Sequence, residues 1–242
     1  MNPVIASITW RGALGRRRAI LLFVFPALLL TLTILLSALG GDPEDWLSAV
    51  VGGLGIGAMI PILALIVGTS VLGVEIEDGN IVHVLTKPVP RQEIIITKLA
   101  VASAVTALFG AVPIVLATII AMPGSLGTAF GLGVAALVGS IVYSAVFVML
   151  SALTKRAVPI GLLYILIWEN LLGGLAAARG VRALSVRQYT MRIAAELSDL
   201  SGINAKVGLS TAIVMSIVFT ALATYFAIRK LRAFTIAGDV TA

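Results

Sequence analysis

The stretch "KLAVASAVTALFGAVPIVLATIIAMPGSLGTAFGLGVAALVGSIVYSAVFVMLSALTK", Lys98 to Lys155, has no charged residue between its terminal lysines. A helix needs roughly 20 apolar residues to cross a bilayer, so this run is too long for one crossing. "AMPGSLGT", Ala121 to Thr128, supplies proline and glycine turn chemistry near its middle. The stretch therefore reads as a tight hairpin of two membrane spans, near residues 98–121 and 128–153. Period-2 alternation, the mark of a membrane β-barrel, is missing.

The same reading extends in both directions. The chain has 242 residues, 60% hydrophobic and 12% charged, against about a quarter charged in soluble domains. Its mean hydropathy is +1.11. Further spans fall near residues 19–40, 47–73 (where Pro61 offers a bend), 158–178 and 207–228. The expectation is an all-α polytopic protein, one transmembrane domain over 1–242 with six transmembrane helices. Residues 1–18 form an amphipathic N-terminal helix at the interface, 74–97 a polar loop, and 179–206 an outer loop. "GRRRAILLFVF" has the basic start of a signal peptide, but its apolar run is too long and more spans follow.

Basic residues beside short loops set orientation. With both termini inside, the cytoplasmic side holds Arg11, Arg16, Arg17, Arg18, Lys87, Arg91, Lys98, Lys155, Arg156, Arg229, Lys230 and Arg232. The outer side holds Arg179, Arg182, Arg187, Arg192 and Lys206, all in the one long outer loop, while "GDPEDW" and "MPGSLG" have none. The net charge of +6 is thus a topology signal rather than a nucleic-acid footprint. The expected place is the plasma membrane, with the N- and C-termini cytoplasmic.

Several chemistries lack their residues. No GxxxxGK[ST] phosphate loop occurs, so any ATP dependence must come from a partner. There is one histidine, His83, and no HExxH motif or Cys/His cluster to hold a metal. The chain has no cysteine. "GGLGIG", Gly52 to Gly57, lacks the preceding strand of a nucleotide fingerprint. Close helix packing suits it better: Gly53 and Gly57 are four apart, as are Gly127 and Gly131.

The loop "GVEIEDGNIVHVLTKPVPRQEIIITKLA", Gly73 to Ala100, is the longest polar interruption in the first two-thirds of the chain. Its first half interleaves Val74, Ile76, Ile81 and Leu85 with Glu75, Glu77, Asp78 and Asn80, which suits a short amphipathic helix at the membrane face. "KPVPRQE" then fixes an extended turn before the apolar run resumes. A rigid element with exposed acids is what a soluble partner could grip.

The order Glu75, Glu77, Gly79, Leu85, Lys87, Pro88, Val89, Arg91 and later Lys98 resembles the intracellular loop of type-2 ATP-binding-cassette exporter permeases. The resemblance covers the whole chain by layout and this loop by motif. It implies a coupling helix between spans two and three that docks an ATPase subunit through Glu75, Glu77, Asp78, Gly79, Leu85, Lys87, Pro88 and Arg91. It further implies two ATPase subunits carrying ATP and Mg, a second permease copy or a related permease, and no cofactor or catalytic residue in this chain. In that family a connecting helix also precedes span one and approaches the ATPase. Here "PVIASITWRGALGRRR" gathers Ile5 and Ile8 on one side, with Arg11 and Arg16 to Arg18 set for anionic headgroups at about 1 kcal/mol each.

Glu169 lies near the middle of span five, where an acid costs about 2.5–3.5 kcal/mol on insertion scales. Such a residue faces the bundle interior, protonated or paired. Two roles stand open for Glu169 and Asn170: lining the translocation path, or structural pairing with a polar group of another span. In the outer loop, "MRIAAELSDLSGI" places Ile193, Leu197 and Leu200 on one stripe and Arg192 and Glu196 one turn apart on the other face. A short amphipathic helix on the outer membrane surface is expected, with span five re-entering as the competing topology. The alternatives to an exporter permease are an ion-coupled carrier using Glu169, an intramembrane enzyme, for which no convergent set of acids, histidine or metal ligands is present, and a non-transporting assembly factor.

Overall fold

A computed structural model of the protein describes residues 3–77, 90–172, 184–203 and 205–233. The described residues are almost entirely helical and include no strand. Helix α1 (Pro3–Ala13) is followed at once by α2 (Arg16–Ala38). A short α3 (Pro43–Leu47) opens the next crossing: Asp42 accepts a hydrogen bond from the Glu44 N–H at 3.1 Å and Pro43 occupies the first turn. The chain continues as a π-helix over Ser48–Met59 and returns to α-helix in α4 (Ile60–Glu77). Helices α5 (Arg91–Ala121) and α6 (Leu126–Leu153) form the uncharged hairpin, turning where Gly124 takes φ 102°. Then come α7 (Ala157–Leu163), a second π-helical stretch (Tyr164–Leu172), α8 (Val186–Leu197) and α9 (Leu209–Ala233).

Among the described residues five helical stretches are long and apolar enough to cross a bilayer, and Ala157–Glu169 is a shorter apolar helix. Six full spans were expected; the difference lies in span five, whose expected course to residue 178 leaves the described residues after Leu172. The bend expected at Pro61 takes the form of a change in helix type two residues earlier. Proline has no N–H to give to the preceding turn, and four glycines between 52 and 57 weaken the α-helical ladder further. Wide turns are usually single, at functional sites; here one runs for 12 residues.

α6 is the central helix, packed against α4, α5, α8 and α9. α2 shows what the membrane does to the outside. Leu22 and Leu29, two turns apart, are buried, while Ile20, Phe23, Leu28 and Leu35 stay exposed to solvate lipid. Phe23 meets Phe109 of α5 edge-on, ring centres 4.9 Å apart.

A second, smaller core joins Leu72 of α4, Ile94 and Ile95 of α5, Ala152 of α6, and Ala227 and Leu231 of α9, with Ile5 of α1 against them. It gathers the start of α1, the ends of α4, α6 and α9, and the start of α5 at one end of the bundle. α4 ends and α5 begins at this end, called here the loop end. The opposite, far end carries the 39–42 and 122–125 turns.

The helix expected on the outer surface is elsewhere. α8 is buried along Val186, Tyr189, Thr190, Met191, Ile193 and Ala194, and it packs on α6, α9 and the first π-helix. Along α6, Gly139 faces Thr190 and Gly131 faces the Leu197 carbonyl; along the π-helix, Gly57 faces Arg187 and Gly52 faces Met191. α8 therefore runs from mid-bundle to the far end inside the protein. The Gly53–Gly57 and Gly127–Gly131 pairs are not used as pairs, since Gly53 and Gly127 have open space beside them. A Cβ at Gly131 would run into the backbone of Leu197, so only glycine permits this approach. That closeness leaves the Leu197 side chain 47% exposed, against the predicted stripe, while Ile193 and Leu200 are buried.

Candidate functional site

The polar centre of the fold forms where the second π-helix meets the first turn of α8. A helix start carries N–H groups with no partner inside the helix, and this one is buried in the middle of a membrane bundle. Glu169 supplies the acceptors. Its Oε1 accepts from the Tyr164 hydroxyl at 2.7 Å and the Val186 N–H at 3.0 Å. Its Oε2 accepts from the Ser185 hydroxyl at 2.6 Å and the Arg187 N–H at 3.1 Å. Four donors fill the four acceptor sites of a carboxylate. Glu169 is 1% exposed.

Ser185 is the N-cap of α8, and its Oγ also accepts from the Gln188 N–H at 3.4 Å. The first three N–H groups of the helix are thus satisfied, two by Glu169 and one by Ser185, with the carboxylate at the positive end of the helix dipole. Gln188 in turn accepts from the Lys206 N–H at 3.0 Å, which ties the chain after α8 to its start. Trp168 donates its indole N–H to the Leu184 carbonyl at 3.2 Å, beside the same junction.

Aromatic rings wall the site. Tyr143 stacks on Phe147 of α6, and Phe147 meets Tyr164 edge-on. Tyr189 of α8 packs against Phe219 of α9 at 5.9 Å. Tyr143 is fully buried in this wall. Among the described residues no group of acids or histidines could hold a metal ion.

Glu169 is thus paired, with the start of α8 and with the Tyr164 hydroxyl of its own helix. Asn170 lies on the π-helical backbone, and its side chain is outside the described residues. The same holds for the side chains of Glu75 and Glu77, which sit on the last turn of α4. Asp78, Gly79, Leu85, Lys87 and Pro88 fall outside the described residues altogether. Arg91 is described, at the first position of α5, and its Nη1 donates to the Leu231 and Arg232 carbonyls of α9 at 2.8 and 2.6 Å. Lys98, expected among the flanking cytoplasmic cations, is instead 1% exposed, because its Nζ reaches the Val71 carbonyl of α4 at 2.6 Å.

Sequence reasoning missed Ser185, although "SVRQ", Ser185 to Gln188, spells the S-x-x-Q form of a helix-start capping box. It missed Tyr143 and Tyr164 because neither carries a local signal. Arg192 and Glu196 form the expected one-turn ion pair, which offsets one of the basic residues on the far side.

No curated protein matches the chain significantly. A family model described as ABC-2 family transporter protein matches residues 14–178, from the start of α2 through the second π-helix. That is more than half of the 242 residues. The expectation drawn from the 73–100 loop and the span layout agrees with it. The chain belongs to the ABC-2 family of transporter proteins, as a membrane permease that works with an ATP-binding-cassette ATPase subunit.

Proposed function

We propose that this chain is the permease half of an ATP-driven exporter in the plasma membrane, with both termini and the loop end facing the cytoplasm. Two ATPase subunits, carrying ATP and Mg, dock on the 74–97 loop through Glu75, Glu77, Asp78, Gly79, Leu85, Lys87 and Pro88; Arg91, expected with them, is left out because its guanidinium is held by α9. Two permeases, identical or related, enclose the path, and this chain does no chemistry of its own. The observation that carries the reading is the loop-end core, which gathers parts of five helices at the end from which the loop emerges. A push on the loop there reaches all five. Charge supports the orientation: Lys155, Arg156, Arg229, Lys230 and Arg232 lie at that end, while the far-end turn into α3 carries Asp42, Glu44 and Asp45.

The test is mild extraction of the tagged chain from its native membrane, with identification of stoichiometric companions. A soluble chain with a phosphate-binding loop should accompany the wild type and be lost on charge reversal of Glu75, Glu77 and Asp78. Vesicles of known orientation, loaded with ATP on one side, give the direction. Recovery of the chain alone in every mild detergent would defeat the reading and favour an ion-coupled carrier. For that rival, Glu169 is poorly placed: a proton relay needs a free acceptor site, and its acceptors hold a helix in place.

A further inference from the structure

The first two turns of α5 do something the docking reading does not require. Arg91 directly follows Pro90, the first described residue after the loop. Its guanidinium crosses to the last described turn of α9, 140 residues away in sequence, and holds two successive carbonyls there. A cation suits that place, because the C-terminal end of a helix is its negative end. Seven residues on, and so on the same face of α5, Lys98 holds the Val71 carbonyl of α4. Between the two cations Ile94 and Ile95 are buried against Leu72, Ala152, Ala227 and Leu231. One face of α5 thus grips the loop end of α4 and the last described turn of α9.

From these contacts we infer that Arg91 is a positioning residue that locks the loop exit to α9, so that α9 moves with the loop. This rests on the proposed coupling role of the loop, and it moves Arg91 out of the set that touches the ATPase. α9 packs on α6 and α8 along one side and faces outward on the other, where Ile213, Val214, Ile217, Leu222, Tyr225 and Phe226 are all exposed. Its far half touches α8, where Phe219 packs on Tyr189 beside the Glu169 site. Fixing the loop end of α9 therefore fixes what α8 leans on. Both carbonyls are reached from a single guanidinium nitrogen, Nη1, which has two N–H groups to give.

The chain has no cysteine, so a spin-label pair on Gln92→Cys and Lys230→Cys, both exposed, reads the α5–α9 distance directly. Measured on the chain in lipid nanodiscs, the wild type should give one narrow distance. Arg91→Gln should broaden it or split it in two, and Arg91→Lys should restore it in part. In the complex, Arg91→Gln should keep the ATPase bound and hydrolysing while transport per ATP falls about tenfold. An unchanged distance distribution with an unchanged transport-to-hydrolysis ratio overturns the inference. So does loss of the ATPase from Arg91→Gln with the distance intact, which would return Arg91 to the docking surface. If no ATPase accompanies even the wild type, the exporter reading fails, and the distance distribution alone then judges the lock.

Discussion

Replacing Glu169 by Gln should release α8 from its place in the bundle. Each carboxylate oxygen takes one hydroxyl and one backbone N–H, from Tyr164 and Val186 on one side and Ser185 and Arg187 on the other. A hydroxyl can rotate and accept from the new amide, but a backbone N–H cannot. Whichever way the Gln amide turns, its NH2 group faces one helix-start N–H. A buried donor left without a partner costs about 1–3 kcal/mol, and the surviving bonds lose their charge assistance. The net cost for the docked state is about 2–3 kcal/mol, or about a 30- to 150-fold rise in the undocked population. Ala194→Cys, at a fully buried site on α8 in this cysteine-free chain, gives the assay. Its maleimide labelling passes through the undocked state, so the rate should rise by that factor in Glu169→Gln. Ser201→Cys, exposed beyond the helix, is the control and should not change. A labelling rate at Ala194→Cys within threefold of the parent would refute the capping account and favour the path-lining role of Glu169.

Gly131→Ala should also undock α8, because its methyl would overlap the Leu197 backbone, which cannot turn aside as a side chain can; Gly127→Ala, in open space, should leave the labelling rate at Ala194→Cys unchanged. Ser185→Ala removes the N-cap and should cost about 0.5–2 kcal/mol, read in the same assay as a smaller rise than Glu169→Gln gives. Ser201→Cys should react with an impermeant maleimide in intact cells; reaction only after permeabilisation would invert the proposed orientation. Ser185→Cys is the wrong probe for that purpose, since Ser185 is fully buried and caps the helix.

Hydropathy made the crossings legible because lipid contact needs nothing beyond apolar length. Periodicity also found the right local pair, Arg192 with Glu196, and two of three stripe residues in the 191–203 segment. It failed on where that segment sits. Mean polarity assigned 179–206 to the surface, yet the polar atoms that raise the mean are partly spent inside, as Ser185 and Gln188 are in capping and tying backbone N–H groups. Leu197 was misplaced for a related reason: the contact at Gly131 is made by backbone, which no side-chain pattern records. Lys98 was read as a flanking charge because it adjoins a span, and its partner, the Val71 carbonyl, is 27 residues away on another helix. The two π-helices had no signal except glycine density in the first, because helix propensity scales do not separate wide turns from ordinary ones.

Glu169 and Lys98, the two buried ionic side chains among the described residues, do matching work on opposite backbone groups. In hydrocarbon an unsatisfied backbone N–H or C=O costs several kcal/mol, so a helix that starts at mid-depth needs its own acceptors. α8 starts there, and the acid that looked costly in span five is what lets it do so. The insertion penalty of Glu169 is then offset locally, by N–H groups that would otherwise carry a penalty of their own. This makes the Tyr164–Leu172 stretch and the start of α8 one mechanical piece, joined through a single carboxylate. A permease that changes shape must move these two together or break the three bonds from Ser185, Val186 and Arg187 at once. For that reason the undocking of α8 and the transport defect of Glu169 variants should rise in the same order, Glu169→Ala above Glu169→Gln. A variant that transports normally with α8 undocked would show that the two are separate.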